Sequence, residues 1–444
     1  MTHTNNISTA ELTEALARIV DPEYVIEDEE TKSPYACDGL STYCEMPLLV
    51  VLPENVEQAS EALKLCLRHN IPIVPRGAGT GLSAGAMPHA QGVVLSMARF
   101  NRILEMNPDA CTATLEPGVR NISITQEAAQ YGLYYAPDPS SQIACTIGGN
   151  IAENSGGVHC LKYGLTVHNV LGLKFLTMSG ETIEIGGDAF DSPGYDLLAL
   201  FIGSEGMLGI VTEITVRLLP QPASARVIMA AFDSTEQAGN AVGAVIAAGI
   251  IPAGLEMMDG HAIRAAEDFA QAGYPVNAEA LLLCEVDGTA AEVEEHVDTI
   301  ARLFQSLGAF ECRISNNEAE RIAFWKGRKS AFPAVGRISA DYYCMDGTIP
   351  RGRLAEVLME MQKMSDHYGL RVANVFHAGD GNLHPLILFD ANVPGEFERA
   401  EAFGGEILEL CVSVGGCITG EHGVGVEKIR QMTAQFSDQE LQQF

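Results

Sequence analysis

The glycines of Pro75-Arg-Gly-Ala-Gly-Thr-Gly-Leu-Ser-Ala-Gly85, at positions 77, 79, 81 and 85, restrict this chain's fold more than any other feature. Glycine admits φ > 0 and lets backbone amides converge, which is how a loop wraps a phosphate. The strand-like run Ile71-Pro-Ile-Val-Pro75 leads into it, so the loop is expected at a strand's end. Two nucleotide motifs fail here. Leu82 stands where the dinucleotide fingerprint needs its third glycine, and no lysine follows as a Walker loop requires. A glycine loop alone could be a bare turn, but this one has company. Pro137-Asp-Pro-Ser-Ser141, Thr146-Ile-Gly-Gly149 and Asn154-Ser-Gly-Gly157 form a second small-residue segment. Gly203-Ser-Glu-Gly206 with Gly209-Ile-Val211 forms a third.

Periodicity places these loops in an α/β framework. Ser8 with Glu11 predicts a capping box opening a helix at about 10–20. Asn55 predicts the cap of a second helix, with Val56, Ala59, Ala62, Leu63, Cys66 and Leu67 on one face. Strands are expected at 93–96, 112–116 and 210–218, a helix at 122–130, and a hairpin of 169–177 with 181–185 turned at Ser179-Gly180. Pro220-Gln-Pro222 is the best boundary. Beyond it, strands at about 226–232, 253–258, 281–286, 309–314, 342–348 and 371–377 alternate with amphipathic helices. Those are expected at about 234–248, 260–271, 289–307, 317–331, 351–368 and 395–414. The expectation is an α+β chain. Its parts are a first domain at 1–220, a second at 221–415 with a mostly antiparallel sheet covered by helices, and a helical segment at 416–444 returning to the first.

Composition narrows the function. At 444 residues and 47.5 kDa, two or more cored domains are possible. No run of about 18 apolar residues predicts a spanning helix, and Met1–Asn6 carries no basic segment before an apolar core. Eleven cysteines without a C-x-x-C pattern predict reduced thiols in the cytoplasm, not an iron–sulfur site. The net charge of −31 excludes nucleic acid as a partner and means an anionic substrate must find a local positive site. One window offers it: Phe324–Arg337 holds Lys326, Arg328, Lys329 and Arg337 and no acid. It is either a solvated helix face or an anion site.

Phe376-His-Ala-Gly-Asp-Gly-Asn-Leu-His384 is the most informative stretch. A two-residue turn at Asp380-Gly381 would place His377 directly across from His384, with Cβ atoms roughly 4.5–5.5 Å apart. Two imidazoles on one face suit a divalent metal. Gly420-Glu-His-Gly-Val-Gly425 could supply Glu421 as a third ligand, with His422 beside it. Two His and one Glu leave an open position, the pattern of a catalytic zinc site; manganese or iron accept the same ligands.

The glycine segments, in this order, resemble the FAD-binding domain of the vanillyl-alcohol oxidase and p-cresol methylhydroxylase superfamily. That resemblance implies that Pro75, Arg76, Gly77, Ala78, Gly79, Thr80, Gly81 and Ser83 surround the pyrophosphate of a non-covalent FAD. It implies that Pro137, Ser141, Thr146, Gly149, Asn150, Ser155, Gly157, Glu205, Gly209, Ile210 and Val211 line the rest of the cofactor. His89, His159, His168 and Cys160 are the conceivable points of covalent attachment. The motifs H-A-G-D-G-N-L-H-P and G-E-H-G-V-G resemble the D-2-hydroxy-acid dehydrogenase branch, which includes D-lactate dehydrogenases and the flavoprotein subunit of glycolate oxidase. The resemblance is closest to the latter around Trp325–Pro350 and Arg371–Asp390.

It implies a metal on His377, His384 and Glu421, His422 as base, Arg328 on the substrate carboxylate with help from Lys329, and a small D-2-hydroxy acid such as glycolate or D-lactate. Phe332 stands where relatives handling longer diacids carry polar side chains. The electron acceptor would be a quinone, or partner FAD and iron–sulfur subunits holding the chain at the inner face of a membrane. Relatives continue past the position of Phe444 to an Asn-Pro-Gly-Lys signature, so a shortened chain is expected. Three alternatives remain: an oxygen-using flavin oxidase, which needs no metal; a non-catalytic FAD-binding scaffold, which needs neither Arg328 nor His422; and a flavin-free metallohydrolase, which leaves the glycine segments unexplained.

Overall fold

The structure, a computed structural model, describes residues 7–187 and 194–444; Met1–Asn6 lies outside these. The fold is α+β, and its described residues divide between two units. The first takes in those within Met1–Gly156, Gly164–Gln221 and Glu421–Glu427; the second those within Gly157–Tyr163, Pro222–Gly420 and Lys428–Phe444. Residues 428–444, read as returning to the first domain, thus group with the second.

The first unit holds a four-stranded and a five-stranded sheet, besides a two-stranded pair of Leu133–Tyr134 with Leu219–Pro220. In one, strands Val25–Ile26, Leu49–Val51, Val93–Ser96 and Ile73–Arg76 lie side by side in that order. The last three are parallel, so the glycine loop leaves the carboxyl end of a parallel strand, where open α/β sheets bind ligands. Helices Thr9–Val20 and Val56–Arg68 share a core with this sheet. The Ser8–Glu11 capping box forms, and Asn55 accepts from the Gln58 amide at 2.9 Å. The buried face of the second helix uses Leu65, whereas Leu67 is 49% exposed, so the predicted stripe was turned at its end.

The other sheet is antiparallel, in the order Ile103–Asn107, Thr112–Leu115, Ile210–Arg217, Val170–Leu176 and Thr182–Gly186. Its hairpin turns at Gly180, whose φ of 78° suits glycine. The edge strand Ile103–Asn107 escaped the sequence reading because its solvent-facing residues break the apolar alternation.

The second unit is built on a seven-stranded antiparallel sheet. The order is Glu311–Ile314, Ser224–Phe232, Ala280–Gly288, Gly254–Asp259, Val372–Phe376, Pro385–Phe389 and Asp341–Cys344. The six expected helices form at Thr235–Ala247, Gly260–Ala270, Ala290–Ser306, Glu318–Lys329, Leu354–Tyr368 and Glu396–Ser413. The central strand Ala280–Gly288 is buried on both faces, which is why Leu281-Leu-Leu-Cys284 reads as a continuous apolar run without alternation. Leu281, Leu283, Met229, Met258 and Val375 pack with Trp325 in one core. No disulfide joins any of the eleven cysteines, and burial pushes Cys66 and Cys411 up to about 12, so these two act as small hydrophobes.

Trp325 is the sole tryptophan and reports on this core. Leu283→Ala leaves a cavity beside it and should lower the unfolding free energy by about 2–5 kcal/mol. Urea titration followed by Trp325 fluorescence measures this; a loss below about 1 kcal/mol would show that the site collapses around the missing atoms.

Candidate functional site

The loop after Arg76 is shaped by its glycines. A Cβ on Gly77 would lie 2.5 Å from Thr146 Oγ1 and 3.6 Å from the Gly149 amide, so the first loop sits against the start of helix Ile147–Glu153. Among the described residues, the backbone amides of Ala78 to Leu82 donate no hydrogen bond. Unused amides in a glycine-rich loop beside a helix start are a fit for a pyrophosphate.

Arg76 is buried and turned inward, donating to the carbonyls of Pro34 (3.2 Å) and Ala86 (3.4 Å), and thus braces the loop. Asn150 bonds Asn121 (3.0 Å) and Ser155 (3.2 Å), and Asn121 donates to the Pro137 carbonyl, so these predicted cofactor residues form one buried network. The Ser141 carbonyl accepts from Ala144 and Cys145, shaping the approach to Thr146. Gly209 closes on Phe175, and Ile210 and Val211 are buried in the strand that follows. Gly157 falls in the second unit, apart from the rest of the predicted set.

Ser83 and Glu205 have a further task. Glu205 accepts from the amides of Val424 (2.8 Å) and Gly425 (2.7 Å). Ser83 Oγ donates to the His422 carbonyl at 2.8 Å, and its own carbonyl accepts from Val426 and Glu427. They hold the segment carrying Glu421 and His422 within the first unit. Its glycines are obligatory: a Cβ on Gly423 would come 2.4 Å from Glu153, and one on Gly425 2.0 Å from the Ser83 carbonyl. Gly156 is equally close to Glu421, at 2.6 Å from Oε2.

In the second unit, the histidine hairpin forms with a different register. His377 pairs with Asn382, and Asn374 with Pro385, around a four-residue turn at 378–381. His384 is therefore offset by two from the expected pairing. A shift of two conserves the face, and the imidazole rings still lie 5.1 Å apart, with ring nitrogens within 4.8 Å. Both are buried. The Cys344 thiol is within 4.8 Å of His384 as well, and the Phe332 ring stands 6.3 Å from it. Gly420, first residue of the other motif, packs on this turn: a Cβ there would lie 2.3 Å from Asn382 Oδ1.

Glu256, which the sequence reading missed, ties this region together. Its carboxylate is 1% exposed; Oε1 accepts from His377 Nδ1 at 2.7 Å, and Oε2 accepts from Arg328 Nε at 2.9 Å and lies at ion-pair distance, 2.7 Å, from Nη2. Burial opposes its charge, but His377 and Arg328 more than offset that and hold it below the usual carboxylate range. A carboxylate fixing one imidazole nitrogen is the usual support of a metal-binding histidine, so the pair fits a divalent cation. The signal was present, since an acid inside the apolar run Gly254–Met258 is rarely left buried without a partner.

Arg328 is 2% exposed. Its helix is seated by Tyr274, whose hydroxyl accepts from the Arg328 amide and donates to the Phe324 carbonyl. Lys329 does not join it. One residue further round the helix, it is exposed and lines a surface groove of about 410 Å³ with Ile322, Trp325 and Lys326. Beneath that groove Glu285 accepts from Arg321 Nη1 (2.8 Å), Trp325 Nε1 and His159. His89 and His168 accept from the nearby amides of Gln91 and Leu165, and the Cys160 thiol is buried.

Residues 47–186 match a family model for an FAD binding domain, and 221–444 one for the C-terminal domain of FAD-linked oxidases. This chain belongs to the FAD-linked oxidase family. Within the family it is 62% identical to glycolate oxidase subunit GlcD of Escherichia coli K12 over 95% of this chain and 84% of that protein. It is 39% identical to the GlcD of Bacillus subtilis (95% and 90%), and 34% identical to a D-lactate dehydrogenase of Archaeoglobus fulgidus (88% and 86%). The family fold extends to p-cresol methylhydroxylase, at a TM-score of 0.81 and 16% identity over 98% of this chain and 92% of that one.

The Glu285 network should make the second unit acid-labile. Burial raises its pKa, but His159, Arg321 and Trp325 pull it below the ordinary 4.5. Its stabilisation is then present above pH 4.5 and lost as pH falls through the lower folded value. Glu285→Gln should cost about 1–3 kcal/mol at pH 7 and less near pH 4. Urea midpoints at both pH values test this; an unchanged gap would mean the carboxylate's charge is not what matters.

Proposed function

We propose that this chain oxidises a small D-2-hydroxy acid, glycolate or D-lactate, to the 2-oxo acid as the flavin-bearing subunit of a larger dehydrogenase. The observation that carries the reading is the buried His377–Glu256–Arg328 chain, which joins a metal-type imidazole to a guanidinium through one carboxylate. His377, His384 and Glu421 would hold the divalent cation, zinc or else manganese or iron. Bound FAD supplies the two-electron acceptor and the bound cation a Lewis acid for the 2-hydroxyl.

The chain's own residues do the rest. Arg328 has Nε committed to Glu256, and its Nη2, which has no hydrogen-bond partner among the described residues, is the donor available to the substrate carboxylate. Lys329 is left out of this step because it faces the surface groove. His422 takes the hydroxyl proton, a task suited to an imidazole near neutral pH. Phe332, in ring contact with His384, presents an apolar wall that favours a short monocarboxylate over a diacid.

Electrons leave to a quinone or to partner FAD and iron–sulfur subunits, and partner contacts would bring the chain to the inner membrane face. No helix among the described residues is long and apolar enough to cross a membrane.

The FAD-loaded protein, mixed anaerobically with glycolate, D-lactate or L-lactate, should lose its yellow absorbance with the first two only. His422→Ala should slow bleaching by roughly 10²–10⁴-fold. A flavin that no 2-hydroxy acid bleaches would overturn the reading in favour of a scaffold, and rapid reoxidation by dioxygen would favour an oxidase. Glu256→Gln should weaken zinc binding by about 10–100-fold, measured by chelator competition; unchanged affinity would remove His377 from the ligand set.

A further inference from the structure

Asp346 and Lys428 are both fully buried and form an ion pair across 82 residues of chain. Asp346 takes more than this one bond. Its Oδ2 accepts from the Gly420 amide at 2.9 Å, and Thr419 Oγ1 lies 3.2 and 3.3 Å from its two oxygens. Gly420 and Lys428 are the residues immediately before and after Glu421–Glu427, so one carboxylate holds both ends of that segment. We propose that Asp346 is a positioning residue, a clasp that fixes where the segment leaves and re-enters the second unit and so where Glu421 and His422 are presented. This rests on the roles given to those two residues above.

The backbone around Asp346 supports the same reading. Gly347 accepts through its carbonyl from the Leu383 amide (2.9 Å), and the Ile349 amide donates to the Gly381 carbonyl (2.9 Å). Thr348 exchanges amide–carbonyl bonds with Cys417 at 3.0 and 3.1 Å. Residues 346–349 thus form a strut, bonded on one side to the turn between His377 and His384 and on the other to the approach to Glu421. The strut joins that turn to the run Cys417–Gly420 within the second unit, and the Lys428 pair closes the far end. A buried ion pair is a weak source of stability, because desolvation offsets the attraction. What it supplies here is a fixed geometry for three donors on one carboxylate.

Three readouts on the FAD-loaded protein test the clasp: amide hydrogen exchange of 421–427, zinc affinity by chelator competition, and kcat and KM for glycolate. Lys428→Met leaves Asp346 charged and buried, and this variant alone could simply misfold. The double variant Asp346→Asn with Lys428→Met leaves no stranded charge and keeps an acceptor for the Gly420 amide. In the double variant, exchange at 421–427 should rise by about tenfold or more while 377–384 stays protected. Zinc affinity should fall by roughly 10–100-fold, and kcat should fall with KM unchanged.

A folded double variant with wild-type exchange and wild-type zinc affinity would overturn the clasp and leave the pair a purely structural one. A wild-type protein that takes up no zinc would overturn the metal reading instead. The exchange comparison then decides the clasp by itself.

Discussion

A carboxylate with almost no contact with solvent, Glu256, is the point on which the candidate site depends. Burying a charge costs several kcal/mol unless it is paired and hydrogen-bonded on every side. Glu256 meets that condition by taking His377 on one oxygen and Arg328 on the other. The same bonds orient both partners, because an imidazole with Nδ1 fixed offers Nε2 and a guanidinium held through Nε offers Nη2. Strand Gly254–Asp259, near the middle of the seven-stranded sheet, makes the arrangement rigid.

The glycine-framed segment Glu421–Glu427 is governed by close approach. Its interior glycines meet Glu153, Glu205 and the Ser83 backbone at distances no Cβ allows, and its amides are answered by Glu205 and Ser83. Two residues that family resemblance assigns to the flavin also anchor this segment. The loop that would cradle the cofactor and the loop carrying the proposed base therefore share supports within the first unit.

Net charge sharpens the electrostatic argument. In a chain of −31, an anionic substrate is repelled at long range, so binding must come from a desolvated local cation. Of the four cations in Phe324–Arg337, the structure buries only Arg328; Arg337 pairs with Asp268, and Lys326 and Lys329 line the surface groove. The window is mostly a solvated helix face with one cation turned inward.

Much of this was legible from the residues alone. Period-2 and period-3.6 patterns with Ser8, Asn55 and Gly180 as punctuation defined most elements, since caps, turns and amphipathic faces are local physics. The glycine loop and the two histidine motifs marked the site for the same reason: each carries its constraint within about ten residues. What the sequence missed was non-local. The hairpin register slipped by two because a four-residue turn was as compatible with Ala378–Gly381 as a two-residue one, and only strand pairing chose between them. Glu256 with His377, and Asp346 with Lys428, are partners separated by 121 and 82 residues. The sequence by itself determined which groups were available and which elements carried them. Tertiary structure decided which buried charges met, because a charge can leave water only where the fold brings a partner to it.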